Sequence, residues 1–316
     1  MKNLIIFYPS YERGGATKIL INLIKFFLKK NIKIFLIINQ FEYTHKNLKI
    51  LKLNDKHKIF KSRFLSSLLG SLKLLNLISS LNRNETKILS MQSSFFTVLI
   101  CFFLRFKIIV RVSEDPCGAT KYADEGFFSY PILLTKFITY NMSTFIIVNA
   151  EKSFNCVKKL IFNKSKIKIL YNPSLKFINK FKKKKNNYTF LSIGRFCKQK
   201  NQTLLIEAFE KFCKNNKNYK LLICGDGPDK NNLFKLVKDK KLNKKIFFKS
   251  WNSNIKKYYN NSSIFILTSL YEGMPNVLIE AINHNLPSIA SNVSGVKDLL
   301  INGKGGLIFN KLNKHV

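Results

Sequence analysis

Short apolar runs rich in Ile, Phe and Val recur along the whole chain, separated by longer stretches with apolar residues at helical spacing. That alternation constrains the fold more than any other feature, because strands joined through helices pair in parallel under helices on both faces. In the first half the strand candidates are 4–8, 33–39, 87–91, 107–112, 144–149 and 166–171. In the second half they are 188–193, 219–224, 245–249, 263–268 and 287–290. Residues 17–29, 202–214 and 230–240 read as amphipathic helices. A chain of 316 residues accommodates two ordinary domains, each with its own core. In open sheets of this kind ligands gather at the carboxyl ends of the strands.

The break between the halves is visible. Asn172-Pro173 closes one strand-helix series, and KFKKKKNN at 180–187 is a charged, turn-prone stretch. The division is therefore a first domain at 1–175, a basic linker at 176–187 and a second domain at 188–316. The lysine run serves either as a solvated linker or as a phosphate or membrane contact. Two doubly wound domains joined there would face each other across a cleft, a common setting for a small-molecule site.

Lys and Arg number 55 against 17 Asp and Glu, a formal charge of +38. A field of that sign draws in nucleic acids, anionic membranes and phosphorylated ligands. Lys, Asn, Ile and Phe are abundant everywhere, as AT-rich coding would produce, so charge alone does not choose among them. A nucleic-acid partner is not expected, because neither aromatic stacking platforms nor a known binding fold accompanies the charge. Six cysteines stand at 101, 117, 156, 197, 213 and 224 without a CxxC pair, several inside apolar runs. That scatter suits a reducing compartment and argues against a disulfide framework and against a zinc site. MKN leads straight into LIIFY, too short a run for a signal peptide. The longest apolar run, 95–104, is shorter than the roughly 20 residues that span a bilayer. The expected location is the cytoplasm, with docking at the inner face of the cell membrane left open.

Three clusters carry chemistry. Gly14 and Gly15 lie between the first strand and the first helix, where glycines let backbone N–H groups approach an anion. A tight turn would need them for steric reasons as well. The second cluster, SIGRFCKQKN at 192–201, follows a strand and opens a helix. Arg195 offers a fork to two phosphate oxygens and Lys200 a compact point charge, so both could reach one diphosphate. The third, SLYEGMPNVLIEA at 269–281, places Glu272 in a loop, Pro275 in the first turn of a helix and Glu280 on that helix. Carboxylates accept hydrogen bonds from sugar and ribose hydroxyls, and the helix N-terminus favours a diphosphate. CGDGP at 224–228 reads as a turn the backbone needs whatever the function.

The order GRFxxQKN, a strand ending CGDGP, then SLYEGMPNVLIEA resembles the retaining GT4 glycosyltransferases of GT-B fold. The likeness runs almost continuously from Phe190 to Phe309. It implies two Rossmann-like α/β domains, and transfer of a hexose-type sugar from a UDP- or GDP-sugar to a hydroxyl acceptor with retention. The acceptors implied are bacterial surface polysaccharide, lipopolysaccharide or lipid-linked glycan. Arg195, Lys200 and Glu272 would form the catalytic set, and Gly273, Met274, Pro275 and Asn276 would contact the donor. Glu280 would hold the ribose, and Gly14 and Gly15 would lie against the donor phosphates or the acceptor. Arg111 and Glu114 fall where the family places first-domain residues facing the donor sugar, although the usual His is absent. No cofactor is expected, the nucleotide-sugar being a co-substrate, and no metal, since the DxD that holds one in other transferases does not occur. Alternatives are a GT-B sugar-nucleotide epimerase and a nucleotide-binding homologue without activity. Family members usually continue for several tens of residues after the position of Phe309, in helices that cross back to the first domain. The resemblance therefore leads one to expect nucleotide binding by 186–316 and slow or absent transfer.

Overall fold

A computed structural model describes residues 1–10, 15–53, 63–92, 95–122, 129–172, 188–250 and 255–310. The chain divides into two compact units, Met1–Tyr171 and Asn172–Val316. The basic linker expected at 176–187 lies outside the described residues.

The first unit runs β1 (Asn3–Tyr8), α1 (Gly15–Lys29), β2 (Lys33–Ile38), β3 (Leu48–Lys52), α2 (Arg63–Ile78), β4 (Thr86–Ser90), α3 (Phe95–Phe103) and β5 (Lys107–Val112). It continues with α4 (Pro116–Lys121), α5 (Ser129–Met142), β6 (Phe145–Val148), α6 (Glu151–Lys158) and β7 (Ile167–Ile169). Its seven strands are all parallel, in the order β3-β2-β1-β4-β5-β6-β7. Leu4 to Tyr8 are buried on both sides of the sheet, as expected of a central parallel strand. Ile6 and Tyr8 pack under α1 through Leu20, Ile24 and Leu28. Ile5 and Phe7 pack under Leu74 of α2, Val98 of α3 and Tyr140 of α5.

The second unit runs β8 (Thr189–Ile193), α7 (Gln202–Asn215), β9 (Lys220–Cys224), α8 (Lys230–Asp239), β10 (Ile246–Lys249), α9 (Ile255–Asn260) and β11 (Ile264–Leu267). Then follow α10 (Asn276–Asn283), β12 (Ser288–Ser291), α11 (Val296–Leu299) and β13 (Leu307–Phe309). The order β10-β9-β8-β11-β12-β13, again all parallel, is the doubly wound arrangement. Helices α7 and α8 cover one face through Leu205, Phe209 and Leu233, while Tyr259, Leu278 and Val296 from α9, α10 and α11 cover the other.

Two strands escaped the sequence reading. Leu48–Lys52 is an edge strand with no apolar run behind it, and Leu307–Phe309 is only three residues long. Asn285 occupies the left-handed position after α10 (φ 51°), where glycine is commoner, and Leu286 N–H returns to the Ala281 carbonyl at 3.0 Å. Asn is the side-chain-bearing residue that best tolerates this conformation.

The cysteines require a correction. Cys117 and Cys156 form a disulfide across 39 residues, with Cα atoms 6.0 Å apart. They lie at the start of α4 and within α6, helices that follow the adjacent strands β5 and β6, so the sheet brings together two cysteines whose spacing carries no signal. The other four are buried and unpaired. Burial pushes the Cys101 and Cys224 thiols up to about 12, which keeps them protonated. A loop of this length predicts a stabilisation of about 2–4 kcal/mol from the cross-link. Cys117→Ser should therefore lower the midpoint of chemical unfolding of the first unit, and a reductant should have the same effect on the wild type but none on the variant.

Candidate active site

In a doubly wound sheet the chain reverses its strand order at one point, and the loops leaving the two strands there flank a crevice. In the second unit that point lies between β8 and β11. The loop after β8 carries Gly194 to Asn201, and the loop after β11 carries Thr268 to Pro275.

Four contacts tie these loops together. Leu270 N–H donates to the Gln199 carbonyl at 2.7 Å, and Gln199 Nε2 to the Tyr271 carbonyl at 3.0 Å. Thr268 Oγ1 donates to the Lys200 carbonyl at 3.0 Å. The fourth is an ion pair from Lys200 Nζ to Glu272 Oε1, joining residues 72 apart in sequence. Ser269 Oγ donates to the same oxygen at 2.7 Å. Glu272 is buried and Lys200 half-buried, so each charge needs the other. Glu272 Oε2 has no hydrogen-bond partner among the described residues, and one donor of the Lys200 ammonium is engaged. The lysine stem runs along Gly194, whose missing side chain gives it room. Arg195 is exposed, its carbonyl fixed by Gln202 Nε2 at 2.9 Å.

Gly273, Met274 and Pro275 are buried, and Pro275 is the N-cap residue of α10 rather than part of its first turn. No side-chain cap closes that helix, so its first N–H groups remain suited to an anion. Asn172 braces the turn: its Nδ2 donates to the Met274 carbonyl at 3.2 Å and to Asn276 Oδ1 at 2.9 Å. Gly295 (φ 76°) braces it from the other side, since a Cβ there would stand 2.7 Å from the Gly273 carbonyl. Gly225 keeps the structural role expected of CGDGP, because a Cβ there would lie 1.9 Å from the Gly194 carbonyl. Glu280 is buried on α10, its Oε2 accepting from the Tyr259 hydroxyl at 3.1 Å.

The first unit has its own reversal between β1 and β4. Ser10 Oγ donates to Gln92 Oε1 at 2.7 Å across it, and Gln92 Nε2 returns to the Ser10 carbonyl at 3.3 Å. Gly15 opens α1, while Gly14 lies outside the described residues. Arg111 is buried on β5, where burial brings its pKa down to about 10, opposed by Tyr8, so it stays charged at neutral pH. It donates to Ser113 Oγ, and Glu114 just beyond is exposed. Asp115, which caps α4 by accepting from Cys117 N–H at 3.1 Å, was not singled out in the sequence. Among the described residues the one group with metal-ligand proximity is Asp115, Cys117 and Cys156, and its two sulfurs are committed to the disulfide.

Residues 174–315, nearly all of the second unit, match the family model "Glycosyl transferases group 1". The second unit therefore resembles the group 1 glycosyl transferases. An uncharacterized glycosyltransferase of Methanocaldococcus jannaschii is 30% identical over 211 residues, 61% of this chain and 50% of that protein, so the chain spans half of that relative's length. A Campylobacter jejuni N-acetylgalactosamine-N,N'-diacetylbacillosaminyl-diphospho-undecaprenol 4-alpha-N-acetylgalactosaminyltransferase is 26% identical over 323 residues, covering 98% of this chain and 86% of that one. Among solved structures, Anabaena HepE in complex with UDP and glucose aligns with a TM-score of 0.73 at 16% identity, over 98% of this chain and 86% of that one. Both units thus have the Rossmann-like architecture of the GT-B fold.

The ion pair generates a prediction. Lys200→Ala strands a buried carboxylate and should cost about 3 kcal/mol of stability. Adding Glu272→Gln should recover part of that loss, with a coupling of about 1–3 kcal/mol in a double-mutant cycle read by denaturant unfolding. Additive losses would show that the two charges act independently.

Proposed function

We propose that this chain is a retaining glycosyltransferase that moves a hexose-type sugar from a UDP- or GDP-sugar to a hydroxyl of a polysaccharide or lipid-linked glycan. The observation that carries the reading is the convergence of Lys200, Glu272 and the uncapped start of α10 at the strand-order reversal between β8 and β11. The relatives' names support the same class, including a transferase named for an undecaprenol-linked glycan.

The electrostatics favour particular roles. Lys200 and Glu272 are neutral as a pair, so the net attraction for a diphosphate falls to exposed Arg195 and the helix N-terminus. Lys200 adds its remaining donors, and Glu272 turns Oε2 toward a hydroxyl of the transferred sugar. Glu280, deeper on α10, takes the ribose. Fixed donors around the departing diphosphate would stabilise its charge without a divalent metal, and a leaving phosphate oxygen would accept the acceptor's proton on the same face.

We place the working protein at an anionic membrane surface. No helix among the described residues is long and apolar enough to cross a membrane. Leu72 on α2 and Phe102 and Phe103 on α3 are exposed, and the +38 charge complements anionic lipid.

Thermal unfolding against a panel of UDP- and GDP-sugars tests the donor, since a ligand at about 100 times its Kd adds about 2.7 kcal/mol. No stabilisation by any of them would refute the reading. Turnover should survive EDTA, and loss of activity restored by Mn²⁺ or Mg²⁺ would refute metal independence. Glu280→Gln should weaken free nucleotide and nucleotide-sugar alike, about 3- to 10-fold, whereas Glu272→Gln should spare free nucleotide and reduce sugar turnover.

A further inference from the structure

The pairing of β5 with β6 puts Asp115 and Cys117, just beyond β5, beside Cys156 of α6. One carboxylate oxygen of Asp115 and the two sulfurs all lie within 4.8 Å of one another. Asp115 and Cys156 are buried, to 3% and 5% exposure, whereas Cys117 faces solvent. The carboxylate is held before any ligand arrives, because Asp115 is the N-cap of α4 and its Oδ1 accepts from Cys117 N–H at 3.1 Å. Lys136 Nζ stands beside this turn, donating to the Pro116 carbonyl at 3.2 Å and to Thr120 Oγ1 at 3.3 Å.

We infer that, once the disulfide is reduced, Asp115, Cys117 and Cys156 form a binding site for a thiophilic divalent cation of the zinc class. Two sulfurs and a carboxylate are a donor set that Zn²⁺ and Cd²⁺ accept, whereas Mg²⁺ and Ca²⁺ require shells of oxygen. Zinc bonds of about 2.3 Å to sulfur and about 2.1 Å to oxygen keep the ligand atoms of one shell within roughly 4 Å of each other. The three groups stand close to that spacing already, so small side-chain rotations close the shell. The exposed side at Cys117 admits the ion and leaves its fourth position to water. Two molecules of a thiol reductant give two electrons and two protons to the disulfide and leave as a disulfide of their own. The cation then displaces one proton from each cysteine and forms two metal–sulfur bonds. Two thiolates, one carboxylate and a divalent ion carry one net negative charge, which the Lys136 ammonium offsets. The role of the cation is structural. It ties α4 to α6 where the disulfide no longer does, so the two helices stay joined under oxidising and reducing conditions alike.

For the test, the full chain is reduced with a phosphine, which leaves as its oxide with oxygen taken from water, and is then desalted without air. Titration with Cd²⁺ should raise the sulfur-to-cadmium charge-transfer band in the ultraviolet, with an end point at one ion per chain. The oxidised wild type and reduced Cys117→Ser should not show that titration. Asp115→Asn, which preserves the cap of α4, should retain the band but bind about 10-fold or more weakly. No band in the reduced wild type overturns the proposal, and so does an equal band in Cys117→Ser, which would assign the ion to the four other thiols. Unchanged affinity in Asp115→Asn removes the carboxylate and with it the three-ligand site. Zn²⁺ should also return the unfolding midpoint of the reduced wild type toward that of the oxidised chain, and a midpoint it leaves unmoved overturns the structural role. If the variants fail to fold, the wild type alone decides. Equimolar Zn²⁺ should slow alkylation of Cys117 by iodoacetamide, followed by peptide mass, about 10-fold or more. Equal rates with and without Zn²⁺ overturn the proposal.

Discussion

The hydrogen bonding of β8 to β11 governs the second unit. These strands are far apart in sequence, with β9 and β10 built outward on one side and β12 and β13 on the other. Because the chain returns to the middle of the sheet, the helices following β8 and β11 cover opposite faces, and their connecting loops part above the strand ends. The parting leaves Gly194 to Lys200 facing Thr268 to Pro275. Were β11 added at the outer edge beyond β10, Lys200 and Glu272 would lie three strands apart and each would be a buried or half-buried charge without its counter-ion.

That ion pair changes what a basic site means. The abundance of lysine suggests a site that works by accumulated positive charge, but Lys200 is neutralised by a carboxylate that is itself held by Ser269. A neutral pair of this kind selects by geometry more than by field: the lysine donates, the glutamate accepts, and the separation between them is set by the sheet. Long-range attraction of any anion is left to the exposed lysines and arginines, where salt screens it. Close backbone packing supports the arrangement, since Gly295 lets the Gly273 carbonyl pass within reach of α11, and Gly225 does the same beneath Gly194.

The first unit repeats the architecture with a different emphasis. Its reversal point is bridged by the uncharged pair Ser10 and Gln92, and the buried Arg111 is directed along the end of β5 toward Ser113. The cross-link between α4 and α6 fixes the segment that starts at the Asp115 cap. Both helices are short, so the covalent bond supplies constraint that their packing alone would give only weakly.

How much of this was legible in one dimension depended on the range of the interaction. Hydrophobic period is a local property, so nearly all strands, the amphipathic helices and the two-unit organisation followed from the sequence, as did the loops around Arg195 and Glu272. An edge strand such as Leu48–Lys52 escaped because its alternation is diluted where one face and one side meet solvent. The motif glutamates were visible because the loop and helix bearing them are contiguous. Their partners were not: Lys200 with Glu272, Tyr259 with Glu280, Asn172 with Met274, Gly295 with Gly273 and Cys117 with Cys156 are pairings across the sheet or between helices. The residues themselves specify what each group can donate, accept or bridge. Only the parallel sheet, by deciding which strand ends become neighbours, determines the group that each one meets.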